Sequence, residues 1–312
     1  MGRLSTVHYF SPSYALRDIL PGVFHLSLQL ETDTGAMRLL YFDSSKRLTS
    51  TDFSGKTVPP YAILSHTWDD EEFLFEDLVN GTGKSKAGYG KILFCGEQAA
   101  RDHLQYFWVD TCCIDKWNLR ELSNAINSMF RWYRNAAKCY VYLSDVSIPA
   151  SKALRRRRWS TRGWTLWKRI ISATVRSPQH QSVRDVSFRK SKWFTRGWTL
   201  QELIAPASVE FFSLERQRLG DKESLEQQIH EITRIPVEAL RSGPLEDFSV
   251  KDRMAWMEGR QTTQEEDVAY SLIGIFSVSM EFRYGEGKER ALNRLQEEME
   301  KGTPYTSLSS KY

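Results

Sequence analysis

The chain has 312 residues, of which 26% are charged and 41% are hydrophobic, a composition that is ordinary for a globular protein and excludes a disordered one. The net charge of +4 equals the charge of a single arginine run, residues 155–158, so the rest of the chain requires no nucleic-acid partner. No apolar stretch approaches the roughly 20 residues of a membrane-spanning helix, and no signal peptide is found. We therefore expect a cytoplasmic protein.

The cysteines predict reduced thiols rather than disulfides or a metal site. They show neither a C-x-x-C pair nor the regular spacing of a disulfide framework, and two of them are adjacent. The four positions are Cys95, Cys112, Cys113 and Cys139.

The order of apolar segments predicts the fold class. Residues 1–36 have no clear periodicity and are interpreted as an N-terminal extension. Short apolar runs then predict buried strands at residues 61–64, 107–110, 139–143 and 209–212. Segments of helical periodicity alternate with these runs, which predicts an α/β fold, a parallel sheet flanked by helices. We place the α/β core at residues 37–213, a helical C-terminal part at 214–301 and a tail at 302–312.

Capping signals predict where individual helices begin. Asn118 and Glu121 have the spacing of a capping box, and an amphipathic helix is predicted to follow them. Thr263 and Glu266 repeat that spacing farther along the chain. A third helix is predicted over residues 195–203.

The tryptophan-rich motif W-F-T-R-G-W-T-L-Q at residues 193–201 has a second copy at residues 159–167, which differs at two positions. Two copies are too few for a solenoid. We interpret residues 155–190 as an insertion that carries a decayed duplicate. It is either a retained intron or a genuine loop.

Polar side chains follow three of the predicted strands. Ser65, His66 and Trp68 come after the first, Asp110 ends the second, and Ser144-Asp145 follow the third. The carboxyl ends of parallel strands meet at one edge of a sheet, where ligands bind. We therefore expect these groups to converge on one crevice.

The helix in the tryptophan-rich motif is predicted to cover that crevice. Trp198 and Glu202 are four residues apart and share a helix face. Arg196 gains nothing from the macrodipole at a helix start, so it is predicted to meet a carboxylate or a ligand phosphate. The alternative for Glu202 is an ion pair with Arg196 or Arg131.

Two further alternatives concern the residues at the strand ends. Trp68 either stacks on a base of the ligand or packs in the hydrophobic core. His66 with Cys112 or Cys113 has the composition of a thiol nucleophile with its base, although tandem cysteines are more often small buried residues.

The motifs SHTW, WVDTCCIDK, CYVYLSDV and WFTRGWTLQELIAP, in this order, resemble the fungal heterokaryon incompatibility (HET) domain. The resemblance extends from Met37 to Gln296 and implies a role in non-self recognition and programmed cell death. That family is in turn similar to Toll-receptor-type (TIR) domains, which implies a flavodoxin-like sheet. Some members of that wider class hydrolyse NAD with a glutamate that follows a tryptophan, and the matching residue here is Glu202.

The resemblance therefore implies two hypotheses of different classes. The first is an NAD nucleosidase with catalytic Glu202, substrate-binding residues around it, no metal, and NAD as substrate rather than cofactor. The substrate-binding residues are Ser65, His66, Trp68, Asp110, Arg196 and Trp198. The second is a non-catalytic signalling module that self-associates through the tryptophan-rich helix. A homo-oligomer and a NOD-like receptor are the expected partners.

Overall fold

The computed structural model describes residues 37–148 and 185–302. The predicted N-terminal extension, the arginine run and the first copy of the tryptophan motif therefore lie outside the described residues, and so does nearly all of the tail. Within the described ranges the chain forms a mixed sheet. Its strands are β1 (Arg38–Phe42), β2 (Leu48–Asp52), β3 (Tyr61–His66), β4 (Tyr106–Trp108), β5 (Lys138–Tyr142), β6 (Val209–Phe212) and β7 (Arg218–Asp221).

The strand order is β2-β1-β4-β3-β5-β6-β7. The four central strands are parallel, and the strands at both edges are antiparallel. Numbered along the chain, the parallel strands have the order 2-1-3-4, which is the order of the flavodoxin-like doubly wound sheet. The predicted α/β class is confirmed, and the four predicted strands correspond to β3, β4, β5 and β6.

The edge strands β1, β2 and β7 were not predicted. Every residue of β3 is buried, because both faces of the central sheet are covered, and such a strand is recognised from its continuous apolar run. β2 has no buried residue, and β7 has exposed or half-exposed ends. Neither shows an apolar run or a clear alternation, and β7 interrupts the region that we predicted to be helical.

Helices follow or flank the strands on both faces of the sheet. They are α1 (Phe75–Asn80), α2 (Ala87–Arg101), α3 (Asp110–Cys113), α4 (Leu119–Asn135), α5 (Thr199–Ile204), α6 (Glu226–Thr233), α7 (Val237–Leu240), α8 (Val250–Ala255), α9 (Asp267–Tyr270) and α10 (Lys288–Gly302), with 3-10 turns at Lys192–Thr195 and Leu245–Asp247. None of the described helices is long and apolar enough to cross a membrane.

One predicted cap is confirmed and the other is wrong. The Asn118 side chain accepts a hydrogen bond from the backbone N–H of Glu121 and caps α4. Thr263 does not cap a helix, since α9 begins four residues later and its N-cap, Glu266, provides no side-chain cap. The Thr263 hydroxyl instead accepts a hydrogen bond from Arg196.

The C-terminal part packs against α4. The Asn127 side chain donates a hydrogen bond of 2.9 Å to the Met280 carbonyl oxygen and accepts another of 2.9 Å from the Met280 N–H. Nearby, Gly274 lies so close to Phe130 that a Cβ atom there would be 2.0 Å from the Phe130 Cβ. These contacts hold the segment that follows α9 against α4.

Candidate functional site

A hydrogen-bonded chain of three buried side chains lies at the carboxyl end of β3. The Ser65 hydroxyl donates to Oε2 of Glu202, which lies on α5. The indole Nε1 of Trp193 donates to the Ser65 Oγ over 2.7 Å. Since Ser65 is followed by only one more residue of β3, and α5 packs against that strand, Glu202 is held at the strand ends.

The helix that carries Glu202 differs from the predicted one. The tryptophan-rich motif forms a 3-10 turn, Lys192–Thr195, and then α5, instead of one continuous helix over residues 195–203. Arg196 and Gly197 between them are held by a distant segment of the same chain. The Gly197 N–H donates to the Gln261 carbonyl over 2.8 Å, and Arg260 donates to the Arg196 carbonyl. All six residues of α5 are buried, whereas Arg196 and Trp198 before it are half-buried, so the predicted interface through this motif stays a prediction.

The environment of Glu202 disfavours its charge. Burial raises the pKa of the Glu202 carboxyl to about 8, against a hydrogen bond from Ser65 that lowers it. The charge of Asp110 raises this pKa further, whereas Arg260 and Arg196 lower it. A carboxyl group whose pKa lies near the pH of the cell is suited to accept or donate a proton there.

The predicted alternative of an ion pair for Glu202 is wrong. Arg131 donates a hydrogen bond to the Ser128 hydroxyl, and Arg196 donates to Thr263 over 3.2 Å. Within the described ranges no cationic nitrogen lies within the 4.0 Å of an ion pair from the Glu202 carboxylate.

Arg260 is a residue of this site that sequence reasoning missed. Its Nη1 donates hydrogen bonds of 2.9 Å to the Arg196 carbonyl oxygen and to the Thr199 hydroxyl. Its Nη2 is buried without a hydrogen-bond partner among the described residues. Burial lowers the pKa of Arg260 to about 10, and Glu202 acts in the opposite direction. Nothing in the sequence around it indicates that this half-buried arginine belongs to the site, because it lies far along the chain from the motif that it contacts.

A second cluster lies beside Ser65, around His66. The His66 Nε2 lies 3.5 Å from Oε2 of Glu72, and its Nδ1 lies 3.9 Å from Oδ1 of Asp110. Although burial raises it, the pKa of Glu72 is held at about 2 by its contacts with His66 and Lys91. His66 is thus held between two carboxylates rather than beside a cysteine.

Trp68 connects this cluster to solvent. Its side chain is 46% exposed, so the core-packing interpretation is wrong. Its Nε1 donates a hydrogen bond of 2.8 Å to Oδ2 of Asp110, and the Lys116 ammonium lies 3.3 Å from the centroid of its ring. Burial lowers the pKa of Lys116, against the charge of Asp110. One face of the indole is occupied by this cation–π contact.

The C-terminal part supplies the opposite wall. Burial raises the pKa of Asp267 at the start of α9, against hydrogen bonds from Trp198 and Tyr284. The Tyr284 hydroxyl donates to Oδ1 of Asp267 over 2.8 Å. The charge of Asp267 acts on Lys116, which places the two within electrostatic reach of each other. Asp267 and Tyr284 were not predicted as site residues.

The end of the third parallel strand does not join the site. The Asp145 carboxylate accepts hydrogen bonds from the Ser191 hydroxyl, over 2.8 Å, and from the Lys192 N–H, over 2.7 Å. Asp145 therefore anchors the start of the tryptophan-rich motif. These two hydrogen bonds occupy both of its carboxylate oxygens.

The cysteines do not support a nucleophile. All four are free and buried, and burial raises the pKa of Cys112 well above its usual range, which disfavours a thiolate. Within the described ranges no group of three or more histidine, cysteine or acidic residues is arranged to hold a metal ion.

The structure therefore arranges the predicted residues in three adjoining groups. Ser65 and Glu202 are in direct contact, His66, Trp68 and Asp110 form a cluster next to them, and Arg196 and Trp198 adjoin Asp267. Asp110 connects these groups, since its charge acts on both Glu202 and Lys116. The arrangement offers a carboxyl group able to ionise near neutral pH, beside aromatic rings and cations.

Comparison with known proteins supports the family that the motifs indicated. Residues 61–202 match the family model described as heterokaryon incompatibility protein (HET). The chain is 56% identical over 277 residues, 85% of its length, to the vegetative incompatibility protein HET-E-1 of Podospora anserina, of which the aligned region is 18%. No solved structure matches the chain. Residues 61–202 run from the first residue of β3 to Glu202, and through this domain the chain belongs to the heterokaryon incompatibility (HET) family.

Proposed function

We propose that this domain hydrolyses NAD between nicotinamide and ribose, with Glu202 as the catalytic carboxylate. The observation that supports the proposal is the buried Glu202 carboxyl at the end of β3, hydrogen-bonded to Ser65 and with a pKa raised to about 8. Such groups concentrate at functional sites, because a purely structural carboxylate is normally paired or solvated. The position beyond the ends of parallel strands is where ligands bind in this class of sheet.

The reaction follows from the charge of the substrate. The bond between the ribose and nicotinamide breaks, and its electron pair neutralises the pyridinium nitrogen, so the leaving group needs no proton. The sugar passes through an oxocarbenium-like centre that a carboxylate stabilises. Water then adds to the anomeric carbon, and Glu202 accepts the proton that this water releases. A bound pyridinium cation favours the ionised form of Glu202, which lowers its pKa toward neutrality.

Residues around Glu202 supply binding groups for the rest of the substrate. The Trp68 indole, which is 46% exposed and contacts Lys116 with one face, supplies an aromatic ring for stacking on a base. The Arg196 guanidinium has no anionic partner within 4.0 Å among the described residues and suits a pyrophosphate.

Replacement of the carboxyl group tests the proposal. Purified protein should release nicotinamide from NAD, and Glu202→Gln, which keeps the shape and the Ser65 contact, should reduce the rate at least ~100-fold. Glu297→Gln changes an exposed glutamate on α10 and serves as the matched control. Circular dichroism and the melting temperature establish that all three proteins fold. Full activity in Glu202→Gln would refute the assignment.

We further propose that this activity acts in vegetative incompatibility and cell death in the cytoplasm. The support is the name of the relative from Podospora anserina and the family of residues 61–202. Expression of the wild-type chain in a filamentous fungus should arrest growth, whereas Glu202→Gln should be tolerated at equal protein level. Growth arrest by both the wild type and Glu202→Gln would show that the biological role does not depend on NAD hydrolysis.

Exposed side chains favour self-association as a second candidate function. Trp117 and Leu119, at the start of α4, are 83% and 68% exposed. Aromatic residues of this kind are frequent centres of protein interfaces. Light scattering across a range of protein concentrations tests the idea, with Trp117→Ala/Leu119→Ala expected to remain monomeric. A wild-type monomer at every concentration would exclude it.

A further inference from the structure

A cleft separate from the strand ends is lined in part by Arg260. Its volume is about 440 Å³. Phe194 and Thr195, from the turn before α5, line it together with the ends of α6 and α8. This size lies within the range of roughly 300–1,000 Å³ for sites that bind small molecules. Apart from Arg260, none of the residues named for the candidate site lines this cleft.

The charges that line the cleft are predominantly basic. The four bases are Arg189, Lys190, Arg234 and Arg260, and the two acids are Asp252 and Glu258. Arg189 is already neutralised, since it pairs with Asp185 and Glu231. Lys190 and Arg234 form no ion pair with any described residue.

Arg260 is the group that most needs a partner. Its guanidinium makes three hydrogen bonds, all to neutral oxygens, and its Nη2 is buried without one. A half-buried cation whose hydrogen bonds all go to neutral oxygens has no counter-charge, and an anion bound in the cleft would supply one. Guanidinium groups bind phosphate and carboxylate in a bidentate manner.

We propose that this cleft binds a small molecule that carries a phosphate or carboxylate group, which pairs with Arg260, Arg234 and Lys190. Because Arg260 also acts electrostatically on Glu202, occupancy of the cleft is coupled to the site at the strand ends. An anion that engages Arg260 weakens the field that favours the ionised form of Glu202. The coupled effect, which rests on the proposed NAD hydrolysis, is therefore inhibition.

Binding is tested without reference to activity. Calorimetric titration of the full chain with inorganic pyrophosphate and, separately, with citrate distinguishes phosphate from carboxylate as the recognised group. Binding of either probe is expected, with a Kd at least tenfold weaker in Lys190→Ala/Arg234→Ala. The control Lys84→Ala/Arg134→Ala removes two exposed cations far from the cleft and should bind as the wild type does. Absence of binding by folded wild-type protein, or equal binding by Lys190→Ala/Arg234→Ala, would overturn the proposal.

The coupling is tested by nicotinamide release at increasing concentrations of the probe that binds. We expect kcat to fall in the wild type and in the control variant, and to stay constant in Lys190→Ala/Arg234→Ala. Equal inhibition of all three would place the anion in the NAD site instead. If no variant releases nicotinamide, the hydrolase proposal fails while the titration still decides whether the cleft binds anions.

Discussion

At the scale of single residues, the site depends on how Ser65 is used. Its hydroxyl donates to Glu202 and accepts from the Trp193 indole, so one small side chain satisfies two buried groups. Buried polar groups left without a partner cost about 1–3 kcal/mol each. Ser65 therefore contributes to stability and to the ionisation of Glu202 at the same time.

The pH dependence of nicotinamide release should report on this contact. We expect kcat/KM to rise as the pH passes the pKa of Glu202 in the free protein, about 8, because the ionised form is the active one. Ser65→Ala removes the hydrogen bond that lowers this pKa, so the midpoint should move to higher pH. Rates measured between about pH 6 and 9.5 test this.

Ser54→Ala is a suitable control for that series, since Ser54 is exposed and far from the site. Its profile should superimpose on that of the wild type. An unchanged midpoint in Ser65→Ala would show that the hydroxyl has no influence on the ionisation of Glu202.

At the scale of elements, the tryptophan-rich motif is shaped by a second segment of the chain. The Gly197 N–H donates to the Gln261 carbonyl, and the Gln261 N–H donates to the Thr195 carbonyl over 2.7 Å. This pairing interrupts the helical hydrogen bonds between the 3-10 turn and α5. It also brings Arg260 to its place beside the helix that carries Glu202.

Gly197 permits this close approach, and Gly197→Ala should disturb it. A Cβ atom would lie 2.4 Å from Cγ2 of Thr262 and 2.7 Å from Cε of Met257. Overpacking of this kind costs typically about 1–3 kcal/mol. We expect chemical denaturation to show a loss of that size in the free energy of unfolding.

Gly90→Ala is the matched control on α2, where the new Cβ would meet nothing closer than 3.8 Å. Alanine is favoured over glycine inside a helix by about 0.5–1 kcal/mol, so this variant should be as stable as the wild type or more so. A Gly197→Ala protein of wild-type stability would mean that the contact between the two segments is loose.

At the scale of the whole molecule, the parallel strands carry the site at their carboxyl ends and the C-terminal part closes it. The sheet places Ser65, His66 and Asp110 on one edge, and contacts of the C-terminal part with α4 bring Asp267 to the opposite side. Two segments separated by more than half of the chain thus contribute to one crevice. Burial of Glu202 is a consequence of this closure.

Closure should make the stability of the whole molecule depend on pH through Glu202. The pKa of this carboxyl is about 8 in the folded state and near 4.5 when unfolded. The folded state therefore retains a proton that the unfolded state loses, so the contribution of Glu202 to stability is greatest below about pH 4.5 and falls as the pH rises to 8. The contribution lost is on the order of 3–5 kcal/mol.

Urea denaturation of the wild type and of Glu202→Gln at pH 5, 6, 7 and 8 separates this contribution from other titrating groups. The difference in unfolding free energy between the two proteins should change steadily across the series in favour of the variant. The unfolding free energy of Glu297→Gln should change with pH in the same way as that of the wild type. A constant difference between wild type and Glu202→Gln would show that Glu202 titrates in the folded protein as it does in the unfolded chain.

The sequence by itself determined the features that depend on neighbouring residues. The four central strands were predictable because both of their faces are covered, which gives uninterrupted apolar runs, and the Asn118 cap was predictable because a capping box is a local contact. Motif order was sufficient to indicate the HET family, and the parallel strands explain why Ser65 and Asp110 lie at one edge.

Only the tertiary structure decided the features that depend on residues distant in sequence. The partner of Glu202 is Ser65, 137 positions away, and Arg260 and Asp267 come from the C-terminal part. The break at Gly197 arises from pairing with Gln261, so helical periodicity alone predicted a continuous helix there. Burial, which raises the pKa of Glu202, is produced by all of these segments together. Local sequence patterns therefore do not predict it.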